Sequence, residues 1–483
     1  MVLALFAIFQ QKDVTPSFAS RTQIAYSQPA IPTSASTQGH EGNTPTILPI
    51  IQPSPDEKTP SPLGVAADEL KGVQVHLGYP WSGKPSVAMR NILDEYNRTN
   101  PWGITVIASD YDGFGRLDEA VESALFSDTI PDVLVDYGYQ ARHWDYSNAI
   151  TDLNPYVNDP VWGLSSDEQS DFYASFWSED LVTSADTNQP RRLGIPYYRS
   201  AFVLFYNQSW GRELGYTDPP TTVEQLRVRA CAATDIITER KEKADLGKGG
   251  WLITTQPGVL VGWIYAFGGD ITQPDGSGYS FDTPATLRAF NYLKSLQSSG
   301  CAWHEVGADS EMEFANRHAL FMVGSLEDIP AQSKAFKKAG NTDEWMVIPF
   351  PSRDKAVVVT YGPSLLLTHS TPVEQLASWL VIDWLISPSK LAELAEALGA
   401  YPTRLSALSD LSDVTGVTPQ WAQALELLPR AHSEPSIASW SMMQWALEDA
   451  MRQLFDPDFV NDQIPNLLEN LANVAAEIYI QVR

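Results

Sequence analysis

Three short stretches of the chain, 79–84, 109–115 and 136–146, hold Trp81, Tyr111, Asp112, Asp136, Tyr137, Tyr139, Trp144 and Tyr146. Aromatic rings and carboxylates gathered this way suit a polar, ring-shaped solute. The C–H faces of a sugar carry slight positive charge and lie well on the π-faces of Trp and Tyr. Its rim of hydroxyls needs paired donors and acceptors, which charged groups supply most strongly. The surrounding sequence gives these stretches a reason to meet. Apolar runs at 73–79, 104–108 and 131–136 read as strands, and 85–97 and the segment from Arg116 carry apolar residues at helical spacing. Strand, helix, strand, helix, strand is the pattern of a parallel sheet with right-handed crossovers. Ligands of such sheets bind in the crevice beyond the carboxyl ends of the strands, where all three stretches fall.

With 483 residues, 43% of them hydrophobic and 19% charged, the chain is long enough for two or three domain-sized cores. Its 59 acids against 32 bases leave a net charge of −27, which repels phosphate backbones and anionic lipid, so no nucleic-acid partner is expected. The 15 Trp and 19 Tyr are a surplus that either fills a large core or lines a cleft. The sequence contains no GxSxG elbow, HExxH, Walker A loop or GxGxxG turn, and no CxxC or zinc-type spacing, so neither cofactor nor metal is expected. Glycosidase carboxylate pairs have no fixed spacing, so missing motifs lower the case for an enzyme without closing it.

The first nine residues, MVLALFAIF, are apolar but shorter than a membrane span and read as the remnant of a signal segment. From Thr15 to about Pro62 the chain is rich in Ser, Thr, Pro and Gln, the composition of an extended tether. Further on, helix starts are marked by capping boxes at Thr221 with Glu224 and at Thr371 with Glu374, and by Pro284, whose helix Gly300 stops. The α/β alternation continues to the end of the chain.

Four segments then carry a family resemblance. They are PDVLVDYGYQARHWDYSNAITDLNPYV (131–157), GIPYYRSAFVLFYNQSWGRELGYTDPPTTVEQL (194–226), FANRHALFMVGS (314–325) and TYGPSLLLTHSTPVEQLASWLVIDWLISPSKLAELAEALGAYPTR (360–404). In this order and spacing the chain resembles the family 1 extracellular solute-binding proteins of ABC transporters, the maltose-binding-protein-like group. Two departures stand out: Asn316-Arg317 occupies the place of the usual glycine, and Leu326 that of a frequent aromatic platform.

The resemblance implies an α/β, type II periplasmic-binding-protein-like fold of two hinged lobes around a ligand cleft. It implies a leader and tether over 1–70, one lobe over 71–198 with 356–398, and a second over 199–355 with 399–483, hinged near Tyr198 and 355–360. The protein would be an extracytoplasmic, membrane-tethered monomer that catalyses nothing, closes on a sugar or oligosaccharide and serves the permease subunits of an ABC importer. Trp81, Tyr111, Asp136 and Tyr139 from the strand-end loops would line the cleft, together with Tyr198, Trp263, Glu327, Tyr361 and Trp440. Export permits a disulfide between Cys231 and Cys301, which fall in one lobe. A secreted carbohydrate-active hydrolase, or a receptor for a polyamine, peptide or iron complex, are the alternatives. A polyamine site would need several acids facing the cleft, and a ferric site clustered tyrosines such as Tyr137 with Tyr139 or Tyr197 with Tyr198.

Overall fold

The computed structural model describes residues 61–482, apart from 126, 128, 184–188, 241–247, 275, 305–308, 353–355 and 412–418. The apolar leader and most of the tether lie outside these residues. The last part of the segment assigned to the tether, 61–70, belongs instead to the folded body. Ser61 Oγ donates to Asp159 (2.6 Å), and Val65 and Leu70 are buried in the first core cluster. Two apolar side chains among polar neighbours suffice to seat the segment, and composition alone hides them.

The strands Gln74–Tyr79, Thr105–Asp110 and Val133–Asp136 pair in parallel, with Gln74 opposite Thr105 and Leu77 opposite Val133. The helices Gly83–Thr99 and Phe114–Ala124 connect them. Two later strands complete this five-stranded sheet: Ser364–Leu367 runs antiparallel to Val133–Asp136, and Ile195–Pro196 antiparallel to Ser364–Leu367. All four residues of Val133–Asp136 are buried because both sheet faces are covered.

A second, larger sheet is built around Tyr198–Asn207. This strand pairs antiparallel with Ala319–Ser325, with Trp345–Ile348 and with Val358–Tyr361. Its ten residues are all buried, and its two faces feed different cores. Ala201, Val203 and Phe205 join the cluster that continues into the first lobe, whereas Phe202, Leu204 and Tyr206 join the second lobe's cluster with Trp251, Trp263 and Trp440. The period of two in a strand thus couples both cores to one element.

The chain passes from one sheet to the other twice within a few residues, at Pro196 to Tyr198 and at Tyr361 to Ser364. At the second passage a Cβ on Gly362 would run into the Tyr198 carbonyl oxygen, so only glycine lets the two crossings lie side by side. Residues 403–411 remain with the first lobe: Thr403 Oγ1 donates to the Pro196 carbonyl (2.8 Å) and Arg404 Nε to Asp171 (2.8 Å). The helix Pro419–Leu425 lies on the second lobe, where Gln420 donates to the Trp345 carbonyl (2.9 Å). These contacts keep 403–411 with the first lobe, past the boundary expected at 398, and put 419–425 on the second.

Local signals read from the sequence are met with one shift. The Thr371–Glu374 capping box forms, and Thr283 caps the helix that begins at Pro284. The helix Val223–Arg240 instead uses Thr222, whose Oγ1 accepts from Gln225 N (3.2 Å), while Thr221 N donates to the Gln225 side chain. With two adjacent threonines the cap register is not fixed by the pattern alone. Arg317, in the place of the family glycine, has φ 60° and is held there by ion pairs to Glu213 (2.7 Å) and Asp343 (2.6 Å).

Cys231, in the helix Val223–Arg240, is joined to Cys301 by a disulfide with Cα atoms 4.4 Å apart. Closing a loop across a sequence separation of 70 removes unfolded-state entropy of about 4 kcal/mol in the chain-entropy picture. Replacing both cysteines by serine should therefore lower unfolding free energy by roughly 2–4 kcal/mol in denaturant titration. The denatured, unreduced wild type should release no free thiol. Gly362→Ala should cost about 2 kcal/mol or more in the same assay, through the clash between crossings.

Candidate functional site

A small cavity lies where the two crossings and both lobes meet, lined by Tyr137, Tyr139, Glu179, Arg199, Tyr361 and Glu434 among others. Its first wall comes from the carboxyl end of Val133–Asp136 and the helix Gly138–Asp145 that follows. Tyr137 stacks on Tyr139 with ring centroids 5.0 Å apart, and Phe114 backs Tyr137 at 4.6 Å. Gly138 starts that helix, and a Cβ there would come within 2.5 Å of Asp180 Oδ1. The opposite wall is Thr360, Tyr361 and Gly362 with the segment 433–436. Tyr361 stacks on Phe202 at 4.6 Å.

The floor is an ion-paired set. Arg199 Nε donates to Glu179 (2.7 Å), and its other nitrogens donate to the carbonyls of Tyr198 and Pro363 and to Ser364 Oγ. Ser364 Oγ donates in turn to Asp180 (2.6 Å). The lobes touch across the cavity: Arg142 Nε donates to Ser436 Oγ (2.9 Å), and Ser433 Oγ to Glu179. The space within it is about 40 Å³, room for a few waters.

The sequence matches the bacterial extracellular solute-binding protein family over residues 91–429. The chain belongs to this family. A Brucella abortus protein provisionally named a binding protein is 23% identical over 312 residues, which are 63% of this chain and 72% of that one. Among solved structures, the sugar-binding protein MalE from Xanthomonas citri superposes with a TM-score of 0.70 at 18% identity, covering 85% of this chain and 98% of that one. The cyclic α-maltosyl-1,6-maltose binding protein from Arthrobacter globiformis gives 0.68 at 19% identity, over 84% of this chain and 99% of that one. These likenesses establish the two-lobed α/β fold that the four sequence segments implied.

In this solute-binding protein Tyr139 and Tyr361 stand on opposite walls of the cavity. Glu327 lies beside Tyr361, whose hydroxyl donates to it at 3.5 Å. Tyr198 is buried behind them with Trp81, ring centroids 5.9 Å apart, and Trp81 also meets Tyr79 and Tyr197. Tyr111 is half-buried against the cluster around Leu117, away from the cavity. Trp263 is a core residue, packed on Trp251, Tyr292 and Phe350, and its helix contributes nothing to the cavity lining. Trp440 is wholly buried and acts at one remove, donating Nε1–H to Glu434 (3.3 Å).

Asp136 is wholly buried at the strand end, where its Oδ1 accepts from Tyr137 N (2.7 Å). Its Oδ2 and the Oδ1 of nearby Asp118 are buried without an N–H or hydroxyl donor among the described residues. Burial, followed by the Asp118 charge, pushes Asp136 well above the usual carboxylate range.

Glu434, Glu179 and Arg199 were not predicted. The first sits in a late loop with no motif, and the other two read as an ordinary acid and base until the fold brings them together. Glu434 is pushed up to about 7 by burial, and Glu327 to about 8 by burial and then by Asp328. The same burial raises the hydroxyls of Tyr137, Tyr139, Tyr198 and Tyr361 well above the usual phenol range. Among the described residues no group of three or more His, Cys, Asp or Glu could hold a metal ion, and no helix is long and apolar enough to cross a membrane.

Raised carboxyl pKa values fix the sign of the pH dependence. Between the unfolded value near 4.5 and the folded values near 7 and 8, the folded protein binds more protons than the unfolded chain. The stability that these two carboxyls contribute is fully present below about pH 4.5 and is lost as pH rises to about 8. Melting temperature should fall by several degrees from pH 5 to pH 8.5, and Glu327→Gln and Glu434→Gln should each flatten that slope.

Proposed function

We propose that this protein captures a small polar solute, a sugar or oligosaccharide, by closing its lobes, and delivers it to the permease of an ABC importer. The observation that carries the reading is the cavity between the lobes, whose tyrosines come from both. Tyr137 and Tyr139 follow a strand of the first sheet, and Tyr361 ends a strand of the second. Arg142–Ser436 and Ser433–Glu179 link the lobes directly, which describes a closed arrangement. Pockets for small ligands run to about 300–1,000 Å³, far above the 40 Å³ between the lobes here, so seating a sugar requires the lobes to part. The sugar-binding proteins of the same fold support a saccharide as the solute.

The same geometry speaks against hydrolysis. A glycosidase needs one carboxyl protonated and another ionised across the scissile bond. Two glutamates line the cavity, and both are held by structural partners: Glu179 by Arg199 and Ser433, Glu434 by the Trp440 indole. Membership of a solute-binding family supports binding without turnover. It works as a monomer outside the cytoplasm, tethered by the segment before residue 61, and its charge of −27 keeps it from nucleic acid.

Small-angle scattering of the full chain should show a larger radius of gyration for the free protein than for protein saturated with its sugar, found by thermal-shift screening. Equal radii would remove hinge closure from the account. Tyr139→Ala and Tyr361→Ala should each weaken binding by at least about 0.5–1.5 kcal/mol, the aromatic contribution beyond buried area, while leaving far-UV dichroism unchanged.

A further inference from the structure

The segment 433–436 belongs to the second lobe but fills the space between the two. It continues the short strand Ala431–Ser433, which pairs with Val358–Tyr361 at the edge of the second sheet. Glu434 N donates to the Thr360 carbonyl (3.0 Å), and the Trp440 indole donates to the Glu434 side chain (3.3 Å). From this anchorage the segment reaches the first lobe with both of its serines. Ser433 Oγ donates to Glu179, and Ser436 Oγ accepts from Arg142 Nε (2.9 Å). Pro435 between them is buried, and its ring restricts the backbone of the strap. The fit is close: a Cβ on Gly138 would come within 3.3 Å of Ser436 Oγ. Arg142 sends its other bonds to the Leu181 and Glu179 carbonyls (3.1 and 3.5 Å), so the serine is its one side-chain partner among the described residues.

A hydroxyl donating to a carboxyl and a hydroxyl accepting from a guanidinium are the bonds a sugar rim forms best. The strap also takes up the room. With it in place the space between the lobes is about 40 Å³, too little for a sugar, so strap and solute cannot share this arrangement. Resting on the solute-binding reading above, we propose that 433–436 is a built-in stand-in for the solute. In the empty protein its two serine hydroxyls occupy Glu179 and Arg142, and the sugar displaces them and takes the same two groups with hydroxyls of its own. Arg199 keeps Glu179 in place when Ser433 leaves. A strap that extends an edge strand can withdraw without parting the inner strands of the sheet. The self-closed form then competes with the solute, and apparent affinity is reduced by the fraction of protein held in it.

The test uses the full chain and the Ser433→Ala/Ser436→Ala variant, first without any sugar. Small-angle scattering should give the empty variant a larger radius of gyration than the empty wild type, because the self-closed population is lost. Calorimetry with maltotriose, cellobiose and xylotriose follows. Whichever binds the wild type should bind the variant at least about threefold more tightly. Arg142→Lys breaks the same Ser436 bond but also the one offered to the solute, so it should not tighten binding. Ser436→Ala alone should move radius and affinity in the same directions as the double variant, and it decides the matter if the double variant fails to fold. Equal radii, unchanged or weaker binding by the serine variants, or equal tightening by Arg142→Lys overturns the stand-in. Each of those results leaves the solute-binding reading intact. If no sugar binds either form, that reading falls, and the stand-in falls with it.

Discussion

Two chain crossings pressed together at Gly362 and Tyr198 are the constraint on which the rest of the structure depends. A Cβ at 362 has no space beside the Tyr198 carbonyl, so the connections between the lobes stay adjacent and narrow. Narrowness makes a hinge, because few backbone bonds need to change for one lobe to turn on the other. The same closeness positions the site. Arg199 lies one residue beyond the crossing and ties Tyr198 and Pro363 to Glu179, so the floor of the cavity is fixed to the hinge itself.

The strand Tyr198–Asn207 extends that coupling into the cores. Its odd and even residues supply different clusters, so a lobe cannot shift without the strand that carries Tyr198 and Arg199 feeling it. Closure is then shared between a stiff element and a few polar links across the cleft, Arg142–Ser436 and Ser433–Glu179. Such links exchange readily with water and are individually modest. They suit a cleft that must reopen.

Electrostatics gives the site its chemical character. Burial raises Glu327, Glu434 and Asp136 without a basic partner, while Arg199 is spent on the cavity floor. Carboxyls kept near neutrality in an aromatic setting are costly to ionise and respond strongly to whatever charge or donor arrives. Arg317 shows the opposite solution elsewhere in the molecule. A left-handed backbone position that suits glycine is occupied by a residue whose guanidinium gains two acid partners.

Sequence alone determined the class of the fold, because the alternation of apolar strands and amphipathic helices is a local property and the first three strands pair in parallel as that alternation requires. It also picked out Tyr139 and Tyr361, the first through the strand-end rule and the second through a family segment, and the structure brings both to the cavity between the lobes. It did not separate cleft aromatics from core ones. Trp263 and Trp440 have the same composition-level signal as Tyr361, yet one packs on Trp251 and Phe350 and the other stands behind Glu434. Nor could it find Glu434, Glu179 or Arg199, which lie far apart in the chain and become a site only when both crossings and the loop 433–436 converge. Periodicity records which face of an element is apolar; which buried face looks into a cavity is decided by the neighbour packed against it, and only tertiary structure supplies the neighbour.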